Sequence, residues 1–395
     1  VLVSAGAGSG KTRVLTERYL QLLTRREGSV PMDRILTLTF TRKAAQEMRE
    51  RIARGLEERN LGGLRPELMR APIGTIHGFC ERVLRERALQ AGIDPNFRVL
   101  DDAEAGTLLE GALDEIFARF WEGTQREREE IVRRLVDFPQ RDIRETLLEI
   151  YRNARTRGLN LDLQPTATTS LDAAAKRLYA AIEELLTLTG TPTWQQGIQS
   201  AAEAYADLRA TIDAVNGFSW DFYDAVQTYG KRLTPAGGPK DLAKAARDAI
   251  KAALEGWLAA YLDLGALPYL RAFGVLLGHL DEAYRKAKDD QGLLDFEDLL
   301  LLTRDLMRDE GSDAGRYYRT KFRQVMVDEF QDTNPLQFEL IRAFQGEGDL
   351  FTVGDVKQSI YRFIGSDVAV FLAQEERLAA MGDAGLRIPM GTNYR

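Results

Sequence analysis

One eight-residue segment constrains this chain more than any other. Ala5-Gly6-Ala7-Gly8-Ser9-Gly10-Lys11-Thr12 follows a short apolar run, Val1 to Ser4. It leads into a segment, Lys11 to Leu23, whose Val14, Leu15, Leu22 and Leu23 recur at helical spacing. A strand, a glycine-rich turn ending in Lys-Thr, and a helix make a P-loop. Glycines let backbone N–H groups curl around phosphate oxygens without Cβ clashes. The helix N-terminus adds its partial positive charge. The cradle would comprise Ala7, Gly8, Ser9, Gly10, Lys11, Thr12 and Arg13. Lys11 would reach the β- and γ-phosphates, and the Thr12 hydroxyl would ligate Mg²⁺. Ala5 stands where the strict pattern has its first glycine; alanine is small enough to be tolerated there.

A P-loop belongs in a parallel sheet, and the flanking pattern agrees. Ile35 to Phe40 and Ile73 to Ile76 read as buried strands, and Lys43 to Leu56 and His77 to Leu89 as helices. From about Asp101 to about Asp290 the pattern is helical, rich in Ala and Leu, and punctuated by Pro165, Pro192, Pro235, Pro239 and Gly237-Gly238. All four tryptophans, Trp121, Trp194, Trp220 and Trp257, fall in this stretch and read as core anchors. Strands return at Gln324 to Val327, Leu350 to Val353 and Leu386 to Pro389. The expected fold is α/β: a P-loop domain with a parallel sheet and flanking helices, interrupted by a large all-helical insertion.

A P-loop needs a carboxylate at the end of a second strand. Val325-Met326-Val327-Asp328-Glu329 supplies it. Asp328 would hold Mg²⁺, and Glu329 would take a proton from the attacking water. No GTPase base motif is present, so ATP is the expected nucleotide, with the adenine-gripping residues expected before Val1.

These segments, in this order, resemble the motifs of the UvrD/Rep class of superfamily 1 helicases. They are Ala5 to Thr12, Leu38 to Ala45, Gly74 to Cys80, Asp328-Glu329-Phe330-Gln331-Asp332, Val353 to Arg362 and Asn393-Tyr394-Arg395. Gly92 to Arg98, Gly292 to Asp298 and Lys357 to Phe363 are similar to segments of the AddA/RecB helicase–nuclease branch, although Ile364-Gly365-Ser366-Asp367 departs from it. The resemblance implies a RecA-like ATP-binding domain over residues 1–97 and 289–395, with a helical insertion over 98–288. It implies that Gln358 senses the γ-phosphate and that Arg395 is an arginine finger. Thr39, Arg42, Thr75 and His77 would contact DNA backbone or sugar, and Phe40, Tyr361 and Phe363 would stack on bases. It further implies an ATP-dependent 3′ to 5′ single-stranded DNA translocase or helicase of double-strand-break repair. Its partners would be single-stranded and duplex-junction DNA and an AddB-like protein. The chain reads as a motor fragment cut at both ends, and weak hydrolysis is expected without a second RecA-like domain.

The rivals are a repair helicase without a nuclease, a P-loop ATPase acting on something other than DNA, and a passive single-strand-binding module. A net charge of −7 excludes a globally basic nucleic-acid coat but not a local basic track. The mixed charges of the Arg42 to Arg59 helix read as a solvated face with pairs four residues apart. Asp295, Glu297 and Asp298 read as a helix cap and acids paired to nearby cations, not as a metal cluster. No uninterrupted apolar run has membrane-spanning length, so no membrane partner is expected. Cys80 stands alone, which excludes an intrachain disulfide and fits a cytoplasmic location.

Overall fold

In the computed structural model the described residues are 1–5, 10–25, 27–121, 131, 135–136, 138–161, 170–233, 240–309, 311–355, 368–382 and 385–390. They divide into two compact units. One comprises residues 1–116, 148–161 and 280–395, and the other residues 117–147 and 162–279.

The first unit is built on a six-stranded sheet. Its strands are β1 (Leu2–Ala5), β2 (Ile35–Thr39), β3 (Ile73–Thr75), β6 (Gln324–Val327), β7 (Asp349–Gly354) and β8 (Arg387–Met390), in the order β3-β2-β6-β7-β1-β8. Every pairing is parallel, with Leu38 opposite Val327, Val327 opposite Thr352 and Val3 opposite Val353. The inner strands carry apolar residues on both faces, as a parallel sheet buried on both sides requires, whereas Arg387, Ile388 and Pro389 of the edge strand β8 are exposed. Leu2, Leu36, Leu38, Val325, Val327 and Leu350 pack into one core, beside helices Ile76–Glu86, Phe296–Arg308 and Pro335–Gln345. Val3, Ile35, Met326, Phe351 and Val353 pack into another, beside helices Lys11–Thr24 and Arg42–Glu58. Strand and helix positions in this unit follow the sequence reading to within a few residues. A second pairing was not anticipated: β4 (Arg98–Val99) and β5 (Leu293–Leu294) form a parallel two-stranded sheet.

The second unit is helical among its described residues. Helices Leu171–Leu186, Pro192–Asp213 and Trp220–Arg232 pack with part of the long helix Lys240–Asp289 around Leu178, Leu208, Trp194, Trp257 and Tyr261. Trp194 and Trp257 are buried anchors, and Trp121 stacks on Phe117 at 4.5 Å. Trp220 corrects the expectation for all four. It opens its helix at 64% exposure, in T-shaped contact with the rings of Phe218 and Tyr223.

The long helix bears on a second expectation. Within Asp241–Asp289 one 18-residue window reaches a mean hydropathy of 1.2, enough by length and composition to cross a membrane, and 33% of that window is buried. Single Gly, Pro and charged residues interrupt the apolar runs without lowering the mean enough. The same helix supplies Ile250, Trp257, Leu258 and Tyr261 to the helical core, and a core helix meets the same criterion.

The charged helix Arg42–Glu58 also differs in detail. Its ion pairs reach other elements, Arg65–Glu57 and Arg59–Glu17 both at 2.6 Å. Arg49 donates to the carbonyls of Leu68, Ala71 and Ile73, tying the helix to the entry of β3.

Candidate nucleotide site and adjoining cavity

The carboxyl ends of parallel strands gather loops on one edge of a sheet, which is where ligands bind in such folds. Here β1 leads toward Lys11, β6 toward Asp328 and Glu329, and β7 toward Asp355. Gly10 caps helix Lys11–Thr24 with φ 88°, a left-handed conformation that a side chain would strain. Lys11 Nζ donates to Glu329 Oε2 at 2.7 Å, joining residues 318 positions apart. The two halves of the site that the motif chemistry requires therefore meet in space.

Glu329 itself has φ 49° and ψ 45°. Only Asn60 shares a positive φ among the described non-glycine residues. A non-glycine residue held in this region marks a place where packing overrides local preference, a frequent feature of functional sites. The next residues form a buried turn, Phe330–Asp332, and Asn334 then caps helix Pro335–Gln345 through a reciprocal capping box with Gln337.

Asp328 is nearly buried, and its backbone N–H donates to the Leu38 carbonyl at 2.9 Å. Burial, and then the neighbouring Glu329 charge, pushes the Asp328 carboxyl up to about 6. The same two causes, in the same order, bring Asp332 up to about 6. Asp332 Oδ1 is buried with no hydrogen-bond partner. Crowded, desolvated carboxylates of this kind fit a divalent cation, whose charge would relieve their repulsion. No group of three or more His, Cys, Asp or Glu among the described residues is arranged to hold a metal by itself. That fits Mg²⁺, which is held by one or two carboxylates together with phosphates and water.

A stability prediction follows. Ionising a carboxyl whose folded pKa is raised costs stability as pH rises from the unfolded value through the folded one. For Asp328 that window runs from 3.8 to about 6. Asp328→Asn is therefore expected to stabilise the metal-free protein by about 1–3 kcal/mol at pH 7.5 and by almost nothing at pH 4. Thermal melts in a chelator at the two pH values check this. Equal gains at both would refute it.

Behind the acids lies a cavity of about 160 Å³. Thr39, Phe40, Thr75, His77, Asp328, Glu329 and Asp332 all line it. Four residues anticipated as DNA contacts thus share a cavity wall with the anticipated metal-holding Asp328 and the anticipated general base Glu329. Phe40 is 38% exposed. Thr39 is buried and its hydroxyl donates to the Thr41 carbonyl at 3.0 Å. Thr75 caps its helix, accepting from the Gly78 N–H at 3.1 Å. Burial pushes the His77 imidazole down to about 4, so it is neutral at pH 7, and its ring meets the edge of Phe296 at 5.7 Å.

Arg42 is exposed and is not part of that cavity wall. Thr12 is half-buried; its carbonyl accepts from Thr16. Arg13 lines a separate polar groove of about 530 Å³ with Arg51, Arg54 and Arg59. Ala7, Gly8, Ser9, Gln358, Tyr361, Phe363 and Arg395 lie outside the described residues. The sequence reading assigned no role to Gln331, Asp332 or Asp355, although all three lie in or beside quoted motifs.

Of the acids near Asp295, Asp295 and Asp298 pair as anticipated, whereas burial raises the Glu297 carboxyl above its ordinary value. Asp295 and Asp298 form a capping box, and Arg155 and Lys288 bond to both carboxylates. Burial alone would raise the Asp295 carboxyl, but the Arg155 and Lys288 cations outweigh it and hold it well below the usual range. Burial likewise pushes the lone Cys80 thiol up to about 12, which makes it inert.

Residues 1–379 match the family model described as the UvrD/REP helicase N-terminal domain. The chain is 31% identical to an ATP-dependent helicase/nuclease subunit from Geobacillus thermodenitrificans, aligning over all of this chain and 37% of that protein. It is 30% identical to the corresponding proteins of Anoxybacillus flavithermus and Desulforamulus reducens, again over its whole length, covering 38% and 36% of them. The chain thus spans between a third and two-fifths of these relatives' lengths.

Proposed function

The chain belongs to the UvrD/REP helicase family, and on that premise we propose that it is the ATP-hydrolysing motor segment of a 3′ to 5′ single-stranded DNA translocase. The parent activity would be that of an AddA-like repair helicase–nuclease. Its partners would be single-stranded and duplex-junction DNA and an AddB-like protein, in the cytoplasm. The observation that carries the reading is the shared edge of the sheet. The Lys11–Glu329 pair stands there at 2.7 Å, and Thr39, Phe40, Thr75 and His77 line the cavity behind Glu329.

In this reading residues 1–97 and 289–395 form a RecA-like domain, and 98–288 form its helical insertion. Bound ATP with Mg²⁺ supplies the phosphoryl group and its counter-charge. Lys11 Nζ binds phosphate oxygens, and Thr12 and Asp328 hold the cation. Glu329 Oε2 accepts the proton of the attacking water. Gln358 and Arg395 attend the γ-phosphate. Phe40, Tyr361 and Phe363 stack on bases, a contact that tolerates any sequence and suits translocation. Thr39, Arg42, Thr75 and His77 contact the backbone, His77 as a neutral donor or acceptor.

ATP hydrolysis by the full-length protein, with and without single-stranded DNA, tests the reading. Strong stimulation that Lys11→Ala abolishes is expected. An ATPase indifferent to DNA would favour a P-loop enzyme with another substrate. Unaltered activity in Lys11→Ala would favour a passive binding module.

A further inference from the structure

Gln331 occupies a junction between the loop after β6 and the end of β7. Its side chain is 3% exposed. Its amide nitrogen donates to Glu329 Oε2 at 2.8 Å and to Asp332 Oδ2 at 3.3 Å. Its amide oxygen accepts from the backbone N–H of Asp355 at 2.8 Å. One planar group therefore touches the candidate general base at one end and the residue following β7 at the other. The amide cannot be reversed, because that would set its oxygen against two carboxylates and its nitrogen against an N–H.

The backbone is shaped around this contact. A Cβ on Gly354 would lie 2.7 Å from Gln331 Oε1, 3.0 Å from the Phe371 ring and 3.2 Å from Gln331 N, so a larger residue there would have to displace the Gln331 amide. The left-handed backbone of Glu329 turns its carboxylate back toward the same amide and toward Lys11. Glu329 Oε2 thus receives hydrogen bonds from both Lys11 Nζ and Gln331 Nε2.

The geometry points to Gln331 as a positioning residue that holds the Glu329 carboxylate in register with Asp355 at the end of β7. A displacement at the end of β7 is then transmitted to the base through one side chain. The inference rests on the reading of Glu329 as the general base and adds the residue that aims it.

The test is a double-mutant cycle in the full-length protein, read by single-turnover ATP hydrolysis in the presence of single-stranded DNA. Gln331→Met keeps the volume and removes the hydrogen bonds. It is expected to lower the hydrolysis rate about 10–100-fold, as a misplaced catalytic group does. Binding of a fluorescent ATP analogue should stay within about twofold, because the hydrogen bonds described for the Gln331 amide run to Glu329, Asp332 and Asp355. In a Glu329→Gln background the same change should have little further effect, since the group it positions is already disabled. Gln331→Glu keeps the volume and the acceptor facing Asp355 but turns an oxygen toward Glu329, and it should lose a comparable factor.

Wild-type rates in either Gln331 variant would overturn the inference while leaving the functional reading intact. So would an equal further loss in the Glu329→Gln background, or a loss of nucleotide binding matching the loss of rate. Full activity in Glu329→Gln alone would overturn the reading and the inference together.

Discussion

Glu329→Gln should reduce DNA-stimulated ATP hydrolysis by about 10²–10⁴-fold, the range that a positioned general base contributes. The substitution is nearly isosteric, and the amide oxygen can still accept from Lys11 Nζ, which now stands 2.7 Å from Glu329 Oε2. Mg-ATP affinity is therefore expected to change only a few-fold, so the loss falls on kcat rather than KM. Steady-state phosphate release and equilibrium binding of a nucleotide analogue separate the two. Turnover within tenfold of the unmodified protein would mean that another group takes the proton.

The second large effect concerns stability. Arg155 lies in the buried cluster with Asp295, Asp298 and Lys288, its guanidinium 2.8 Å from each of the two carboxylates. Lys288 is 2% exposed and stands over the Tyr284 ring at 4.1 Å. Removing one member of a buried ion cluster is costly because the charge left behind has no water to turn to. Arg155→Met is expected to destabilise the protein by about 3–5 kcal/mol, on the order of 10 °C in melting temperature. Adding Asp298→Asn should recover part of the loss by removing the surplus negative charge. A shift below about 2 °C for the single substitution, or no recovery in the double, would show that the cluster is better solvated than its burial indicates.

Chemistry and local pattern made the sheet legible. Gln324–Val327 and the helix start at Lys11 were placed to the residue, because a short apolar run and a glycine-rich turn are local signals. The anticipated cap at Asp295 was legible for the same reason: it is written in residues three apart. What escaped depends on distant chain. The β4–β5 pairing joins residues almost two hundred positions apart through two-residue strands too short to carry a periodicity. Trp220 has the composition of an anchor, yet it lies on the outer side of its helix start. Gln331 sat inside a recognised motif, but its role depends on where the end of β7 lies. The left-handed backbone of Glu329 has no sequence signature at a glutamate. Lys11 and Glu329 were paired by chemistry alone, and their contact is the clearest case in which motif logic reached across the chain.

The alternation along β6 has a broader consequence. Val325 and Val327 belong to one core and Met326 to the other. The sheet is therefore a partition wall between two packing compartments that share little beyond its backbone. Beneath one side lies the helix that begins at Lys11, and beneath the other lie the helices that begin at Ile76 and Pro335. Drift in side-chain volume on one side can be absorbed there without repacking the other. A lineage built on this wall has two separately adjustable halves, one packed with helix Lys11–Thr24 and one with helices Ile76–Glu86 and Pro335–Gln345.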